Sequence, residues 1–205
     1  MKKKTVLKSI VLAAFLLSIG LCYFAAAVPK GISFAAPAVT EEGKGRLVEF
    51  RLSLQPGAGR LLVNVESVAF KEDIDTALRT ARAASEKYLG ARLDNYDVVL
   101  DVKSDGGFSE VSGGSAGALF AAALIAMQSG KSLRQDAAIS ARIDENGGLL
   151  PVGGIEEKIY AAGQGNRRLF IVSEGQQVRF GNEFSKNISI RKAASISEAL
   201  PYLLS

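Results

Sequence analysis

The chain has 205 residues, of which 48% are hydrophobic, and this length and composition are typical of one globular domain with a short appendage. The net charge of +4 at pH 7 equals the four lysines within residues 1–8, so the remainder is neutral and does not indicate nucleic-acid binding. The chain has no histidine, and its one cysteine is Cys22, which excludes histidine-based triads, intrachain disulfides and paired-cysteine metal or redox sites. Nucleophilic chemistry must therefore use Ser or Thr with Lys or a carboxylate as base, and no residue pattern indicates a cofactor.

Residues 1–28 form a lysine-rich start followed by an apolar stretch. Residues 9–28 carry no charge, and as a helix they would span about 30 Å, the thickness of a bilayer core. The lysines on the N-terminal side favour a cytoplasmic start, with the body of the protein outside. The alternative is a secretory signal cleaved near Ala25–Ala27. The sequence thus predicts either a membrane-anchored domain outside the cytoplasm or a secreted one.

The mixed Pro, Gly, Ala and charged residues of segment 29–45 predict a linker, followed by one domain over residues 46–205. Alternating apolar residues predict strands over 48–54 and 61–65, and the Pro-Gly turn between them predicts a hairpin. Helical spacing predicts a helix over 72–89 that ends at Gly90.

The second half of the domain alternates between helices and strands, which predicts an α+β or mixed α/β fold. The apolar run Ala116–Met127 predicts a fully buried helix. Further helices are expected over 154–162 and 197–203, and strands over 97–102, 137–143, 149–152, 169–172 and 188–190.

Ser115 lies in Gly-Gly-Ser-Ala-Gly, directly before the buried helix. Small neighbours allow a substrate carbonyl to approach the backbone, and a helix start presents free N–H groups that suit an oxyanion. The alternative is that Ser115 is an ordinary helix N-cap.

Lys158 lies among Ile155, Ile159 and Ala162 on one helical stripe. Such a lysine either extends to water or is desolvated with a lowered pKa, as a lysine general base requires. Neighbouring glutamates could also pair with it in solvent.

Together, Gly-Gly-Ser-Ala-Gly and the later Leu-Pro-Val-Gly-Gly-x-x-x-Lys-x-x-x-Ala resemble the proteolytic domain of Lon proteases, including the 43-residue separation of Ser115 and Lys158. The resemblance implies a ribosomal protein S5 domain 2-like fold with Ser115 as nucleophile and Lys158 as its base. It also implies that the Ser140 hydroxyl orients Lys158. Around the serine, the backbone of Gly114 and Ala116 is expected near the oxyanion.

Three positions depart from the common Lon pattern. Ser112 stands where an acidic residue is frequent, Gly114 where proline is frequent, and Arg142 where a second acidic residue is frequent. These departures affect the substrate pocket and leave the nucleophile, base and hydroxyl in place.

The 205 residues contain no complete phosphate loop, since Ile125 stands where the first glycine before Gly130-Lys131-Ser132 would be needed. The leading hypothesis is therefore an ATP-independent serine endopeptidase acting on unstructured polypeptides, with a membrane contact through residues 9–28 if they are retained. Lon-type domains often form rings, which leaves a homo-oligomer open. The alternatives are an inactive peptide-binding or assembly module and, more remotely, a small-molecule kinase with a glycine-rich phosphate turn.

Overall fold

The structure is a computed structural model that describes residues 30–40, 42–65, 69–70, 74–103, 110–111, 113–179 and 188–205. The strands are β1 (Lys30–Val39), β2 (Gly45–Pro56), β3 (Leu61–Val65), β4 (Ala69–Phe70), β5 (Tyr96–Lys103), β6 (Glu110–Val111), β7 (Ala137–Ile139), β8 (Arg142–Ile143), β9 (Leu149–Leu150), β10 (Leu169–Ser173) and β11 (Ser189–Ala193). The α-helices are α1 (Ile74–Leu89), α2 (Gly117–Ser129), α3 (Ile155–Gln164) and α4 (Ile196–Leu203), and a 3-10 turn, Gly114–Ala116, precedes α2. The predicted mixed α/β class is confirmed.

The predicted N-terminal hydrophobic helix, residues 9–28, lies outside the described residues. Within the part of the chain that the structure describes, no helix is both long enough and apolar enough to cross a bilayer.

Strand β1 corrects the prediction that segment 29–45 is a linker. It pairs antiparallel with β2 along its whole length, from Lys30 opposite Leu54 to Val39 opposite Gly45. Alternate side chains of the strand are buried (Phe34, Ala36 and Ala38), so it contributes one face to the core. The folded body therefore begins before residue 46.

The predicted hairpin between β2 and β3 is also wrong. The sheet order is β1-β2-β5-β3, with β5 antiparallel to β2 and parallel to β3. The turn between β2 and β3 wraps around the start of β5, where the buried Asp97 carboxylate accepts hydrogen bonds from the amides of Ala58 and Arg60, each at 2.9 Å. The Arg60 guanidinium also binds Asp97, and these hydrogen bonds lower the pKa of Asp97 to about 2.

Helix α2 occupies the centre of the domain, as its composition predicts. Every residue from Gly117 to Met127 is buried. The helix contacts α1, β1, β2 and α4, and the rings of Phe34, Phe50 and Phe120 pack with centroids 5.4 to 6.2 Å apart. Because the helix is enclosed on all sides, the turn at its N-terminal end is held in place.

A second, parallel sheet has the order β11-β10-β7, and the short strands β8 and β9 form an antiparallel pair beside it. Helix α3 packs between this sheet and the β1–β2 ribbon. The approach to the ribbon is close, since a Cβ at Gly45 would overlap the carbonyl oxygen of Glu157. This packing fixes the position of the helix that carries Lys158.

Candidate active site

Ser115 lies in the middle of the 3-10 turn before α2 and is only 7% exposed. Gly113 is the N-cap residue of the 3-10 turn, and Ala116 is the N-cap residue of α2. No side chain caps the N-terminus of either element. The alternative in which Ser115 is an ordinary helix N-cap is therefore wrong.

The turn is tied to the chain just beyond strand β7. The amide of Ala141 donates to the carbonyl oxygen of Ser115, and the amide of Ala118 donates to the carbonyl oxygen of Ala141, both at 3.2 Å. On the other side, a Cβ at Gly113 would stand 2.9 Å from the Cβ of Ile74. The serine is thus fixed between β7 and the first turn of α1.

The backbone amides of this turn are not equally available to a substrate. The Ala116 amide donates to the carbonyl oxygen of Gly113 at 3.2 Å. In this conformation the amide is therefore already engaged and cannot donate to an oxyanion, the role expected of it. The amides of Gly114 and Ser115 precede the first internal bond of the turn and make no backbone hydrogen bond to the described residues. These two amides therefore remain without a backbone acceptor among the described residues.

Lys158 is 4% exposed and lies on α3 beside Ile155 and Ile159, which are 2% and 0% exposed. These neighbours belong to a small apolar cluster between α3 and the parallel sheet. The alternative in which the lysine extends into solvent is therefore wrong. The side chain is held inside the protein by the helix stripe on which the sequence placed it.

Ser140 faces the same side of the sheet as α3. It extends strand β7 by donating its amide to the carbonyl oxygen of Ile171 at 3.1 Å, and Ala138, two residues earlier, belongs to the α3 cluster. Ser140 is 1% exposed, yet its hydroxyl oxygen has no hydrogen-bond partner among the described residues. The implied bond from Ser140 to the Lys158 amine is therefore not made in this conformation.

One cleft of about 540 Å³ brings Ser115 and Lys158 together. Its remaining lining is small, apolar or glycine, apart from one arginine: Ala38, Val39, Arg142, Pro151, Val152, Gly153 and Gly154. The end of β1 forms one wall, which sequence reasoning missed because the segment was assigned to a linker.

Ser112, another position that departs from the Lon pattern, lies outside the described residues.

The opposite wall, Pro151–Gly154, is held by a residue that sequence reasoning also missed. The buried side chain of Gln176 accepts the Val152 amide at 2.8 Å and donates to the Val152 carbonyl oxygen at 3.2 Å. This pairing imitates one rung of a β-ladder and occupies both backbone groups of Val152. A lone glutamine after a strand carries no sequence signal for such a role.

Among the residues that the structure describes, no group of three or more acidic or cysteine side chains is placed to hold a metal ion. The chemistry available in the cleft is that of a hydroxyl, an amine, a guanidinium and backbone amides.

Comparison with known proteins accords with this arrangement. A sequence model of the Lon protease (S16) C-terminal proteolytic domain matches residues 32–205. The chain belongs to the Lon protease family. It is a serine-type peptidase domain of that family, as its motifs predict, and the match begins within strand β1, so the family's domain includes this strand.

Three relatives define the extent of the similarity. The peroxisomal Lon protease homolog 2 of Caenorhabditis elegans is 31% identical over 152 residues, which are 73% of this chain and 19% of that protein. The Lon protease of Escherichia coli K12 is 33% identical over 65% of this chain and 17% of its own length. The Lon protease of Lawsonia intracellularis is 30% identical over 87% and 22%. The chain thus spans about a fifth of the length of these relatives.

Proposed function

We propose that this domain is a serine endopeptidase in which Ser115 is the nucleophile and Lys158 its general base. One observation carries the proposal: a buried serine and a buried lysine from different elements line the same cleft. A lysine accepts a proton only as the neutral amine, and an environment shielded from water favours that form. The apolar cluster around α3 supplies such an environment.

In the proposed reaction, Lys158 Nζ removes the proton from Ser115 Oγ as Oγ bonds to the carbonyl carbon of the scissile peptide. The amides of Gly114 and Ser115 donate to the oxyanion that forms. The tetrahedral intermediate collapses, the peptide C–N bond breaks, and the leaving amine takes the proton from Lys158. A water molecule then transfers a proton to Lys158 and attacks the carbonyl carbon of the Ser115 ester. As the ester C–O bond breaks, Lys158 returns the proton to Ser115 Oγ and the carboxylic acid product leaves, which restores the serine and the neutral lysine.

Ser140 has a positioning role in this proposal. Its hydroxyl lies on the face that packs against α3 and has an unused hydrogen-bonding capacity. In the proposal, a hydrogen bond between this hydroxyl and the Lys158 amine forms when substrate binds and orients the amine. Apo active sites often have such bonds open, and they close in the substrate complex.

We further propose that hydrolysis needs no nucleotide and that the substrates are unstructured polypeptides or exposed loops. Nucleophilic attack by a serine with a lysine base consumes no ATP. A folded substrate rarely offers an extended segment to a cleft, whereas locally unfolded chains do.

The proposed location is outside the cytoplasm, either tethered through residues 9–28 or released after cleavage. The support is the pattern of four lysines followed by an uncharged stretch long enough to span a bilayer. Protease accessibility of the domain in intact cells and in lysed cells tests this location.

A fluorophosphonate probe tests the dyad directly. Residues 29–205 and the full chain are treated with the probe between about pH 6 and about pH 10, a range in which a lysine base titrates, and adducts are mapped by mass spectrometry. We expect one adduct, on Ser115, which is lost in Ser115→Ala and in Lys158→Met. Methionine retains the length and apolar character of the lysine stem, so Lys158→Met should fold.

Ser173→Ala is the matched control, because Ser173 is fully buried and lies outside the cleft lining. It should label like the wild type. The peptidase proposal would be refuted if the folded protein hydrolyses no unstructured peptide, with or without ATP, and takes no adduct either as residues 29–205 or as the full chain. That result would favour the binding-module alternative. Sedimentation of the same samples determines whether a homo-oligomer forms.

A further inference from the structure

Arg142 lies between the main cleft and a second, smaller cavity. The second cavity has a volume of about 220 Å³ and is lined by Thr76, Ala77, Thr80, Gly114, Gly117, Arg142 and Ile143. Arg142 lines both cavities, and Gly114 of the second precedes Ser115 of the first. The second cavity therefore adjoins the turn that carries Ser115.

We infer that this second cavity is a subsite for an acidic side chain of the substrate and that Arg142 selects it by charge. The inference rests on the proposed peptidase function and adds a substrate class to it. The volume of the second cavity equals that of about seven water molecules, which is enough space for one Asp or Glu side chain and its hydration.

The first argument is the charge of the lining. Arg142 is exposed, and its guanidinium forms no hydrogen bond or ion pair with the described residues. Neither cavity is lined by a carboxylate from the described part of the chain. An anionic side chain would therefore meet the guanidinium without displacing a partner from the described residues, and a bidentate arginine–carboxylate pair is a favourable geometry.

The second argument is that nearby carboxylates are already engaged. Asp144 follows the lining residue Ile143, but its carboxylate accepts the amides of Asn146 and Gly148 at 2.8 and 2.9 Å. Asp75 precedes Thr76, and its carboxylate accepts from the Arg79 guanidinium at 2.9 Å.

The Glu157 carboxylate lies near the Gly154 turn, and Glu157 is not among the residues that line either cavity.

The third argument comes from the backbone. The cavity lies at the N-terminal ends of α2, through Gly114 and Gly117, and of α1, through Thr76 and Ala77. Helix starts carry partial positive charge, which favours an anionic group within the first turn. The partial positive charges at the two helix N-termini and the charge of Arg142 therefore all favour an anionic group in this cavity.

The test compares unstructured fluorogenic peptides that differ only in one residue beside the scissile bond: Glu, Gln or Lys, placed in turn at each of the two positions on either side. For the position that reaches the second cavity, we expect kcat/KM for the Glu peptide to exceed that for the Gln peptide by about three- to tenfold at low salt. The ratio should shrink as the salt concentration rises from about 50 to about 500 mM.

Variants assign the preference to the arginine. Arg142→Gln should bring the Glu/Gln ratio to about one, and Arg142→Glu should favour the Lys peptide. Lys131→Glu makes the same change in net charge at the opposite end of α2, on an exposed residue, and should leave the ratios unchanged. If Lys131→Glu shifts the ratios as Arg142→Glu does, the preference belongs to the overall field of the protein and the subsite is refuted.

The failure of this inference and the failure of the peptidase proposal give different results. Cleavage of the Glu, Gln and Lys peptides at equal kcat/KM would refute the acidic subsite and leave the peptidase intact. If no peptide is cleaved, the peptidase proposal fails, and binding of the same peptides to Ser115→Ala, followed by fluorescence anisotropy, still decides the subsite. Tighter binding of the Glu peptide that is lost in Ser115→Ala/Arg142→Gln supports it, and equal binding refutes it.

Discussion

Gly154 joins the cleft wall to the helix that carries Lys158, and replacing it with alanine perturbs both. Its φ is +61°, the left-handed region that disfavours a side chain. A Cβ at this position would also stand 2.6 Å from Cγ2 of Val39, at the end of β1. Gly154→Ala therefore combines backbone strain with overlap against the opposite wall of the cleft.

The two costs can be estimated separately. A left-handed alanine costs about 1 to 2 kcal/mol, and overpacking of a well-packed contact costs about 1 to 3 kcal/mol. We expect Gly154→Ala to lower the free energy of unfolding by about 2 to 5 kcal/mol. Val39→Ala removes the overlapping methyl groups, so in that background the cost of Gly154→Ala should fall to the backbone contribution alone.

Equilibrium unfolding in urea measures these differences, and peptide hydrolysis measures the consequence for the site. The Lys158 amide donates to the Gly154 carbonyl oxygen at 3.2 Å, so a displaced Gly154 should move the lysine and lower kcat. Gly153→Ala is the matched control, because a Cβ there meets nothing within 4 Å and its φ is not positive. Equal stability of Gly154→Ala and Gly153→Ala, or a Gly154→Ala cost that Val39→Ala does not reduce, would contradict the reasoning.

Three further predictions concern buried polar groups. Gln176→Leu leaves both backbone groups of Val152 without a partner, so the free energy of unfolding should fall by about 2 to 3 kcal/mol in urea titrations, with a raised KM for peptides. Asp97 has its pKa lowered to about 2, first by the Arg60 side chain, so its contribution to stability is present above about pH 4 and is lost as the pH falls toward 2. In Asp97→Asn, acid unfolding curves should lack that part of the pH dependence, and an unchanged dependence would contradict the assignment. Ser140→Ala removes a buried hydroxyl that has no partner among the described residues, so the free energy of unfolding should be unchanged or higher by about 1 kcal/mol while kcat falls at least about tenfold. A fall in stability with normal kcat would exclude the positioning role.

Much of the site could be predicted from the sequence because its signals are local. The glycine-rich turn and the continuous apolar run after Ser115 specify a buried helix whose first turn presents the serine. The helical stripe around Lys158 specifies which face is buried, and the structure confirms that the lysine lies on it. The family resemblance depends on these same residues, which is why the class of enzyme could be predicted before the fold was known.

What the sequence could not supply depends on contacts between distant segments. Strand β1 contains three alanines and one proline and has only a weak alternation, so its strand character comes from pairing with β2 and from burial against α2. The insertion of β5 between β2 and β3 likewise depends on Asp97 binding the turn around Arg60, 37 residues away. Local patterns favoured a hairpin because they contain no information on that long-range bond.

The sequence by itself determined the mixed fold class, the central helix and the two segments that carry Ser115 and Lys158, because each is encoded in a short run of neighbouring residues. Only the tertiary structure decided which walls enclose them: the end of β1, the loop held by Gln176, and Arg142 between two cavities. It also decided that the Ser140 hydroxyl is buried without a hydrogen-bond partner among the described residues. Side chains from segments far apart in the chain converge only after the sheets and helices have packed, and that convergence forms the cleft.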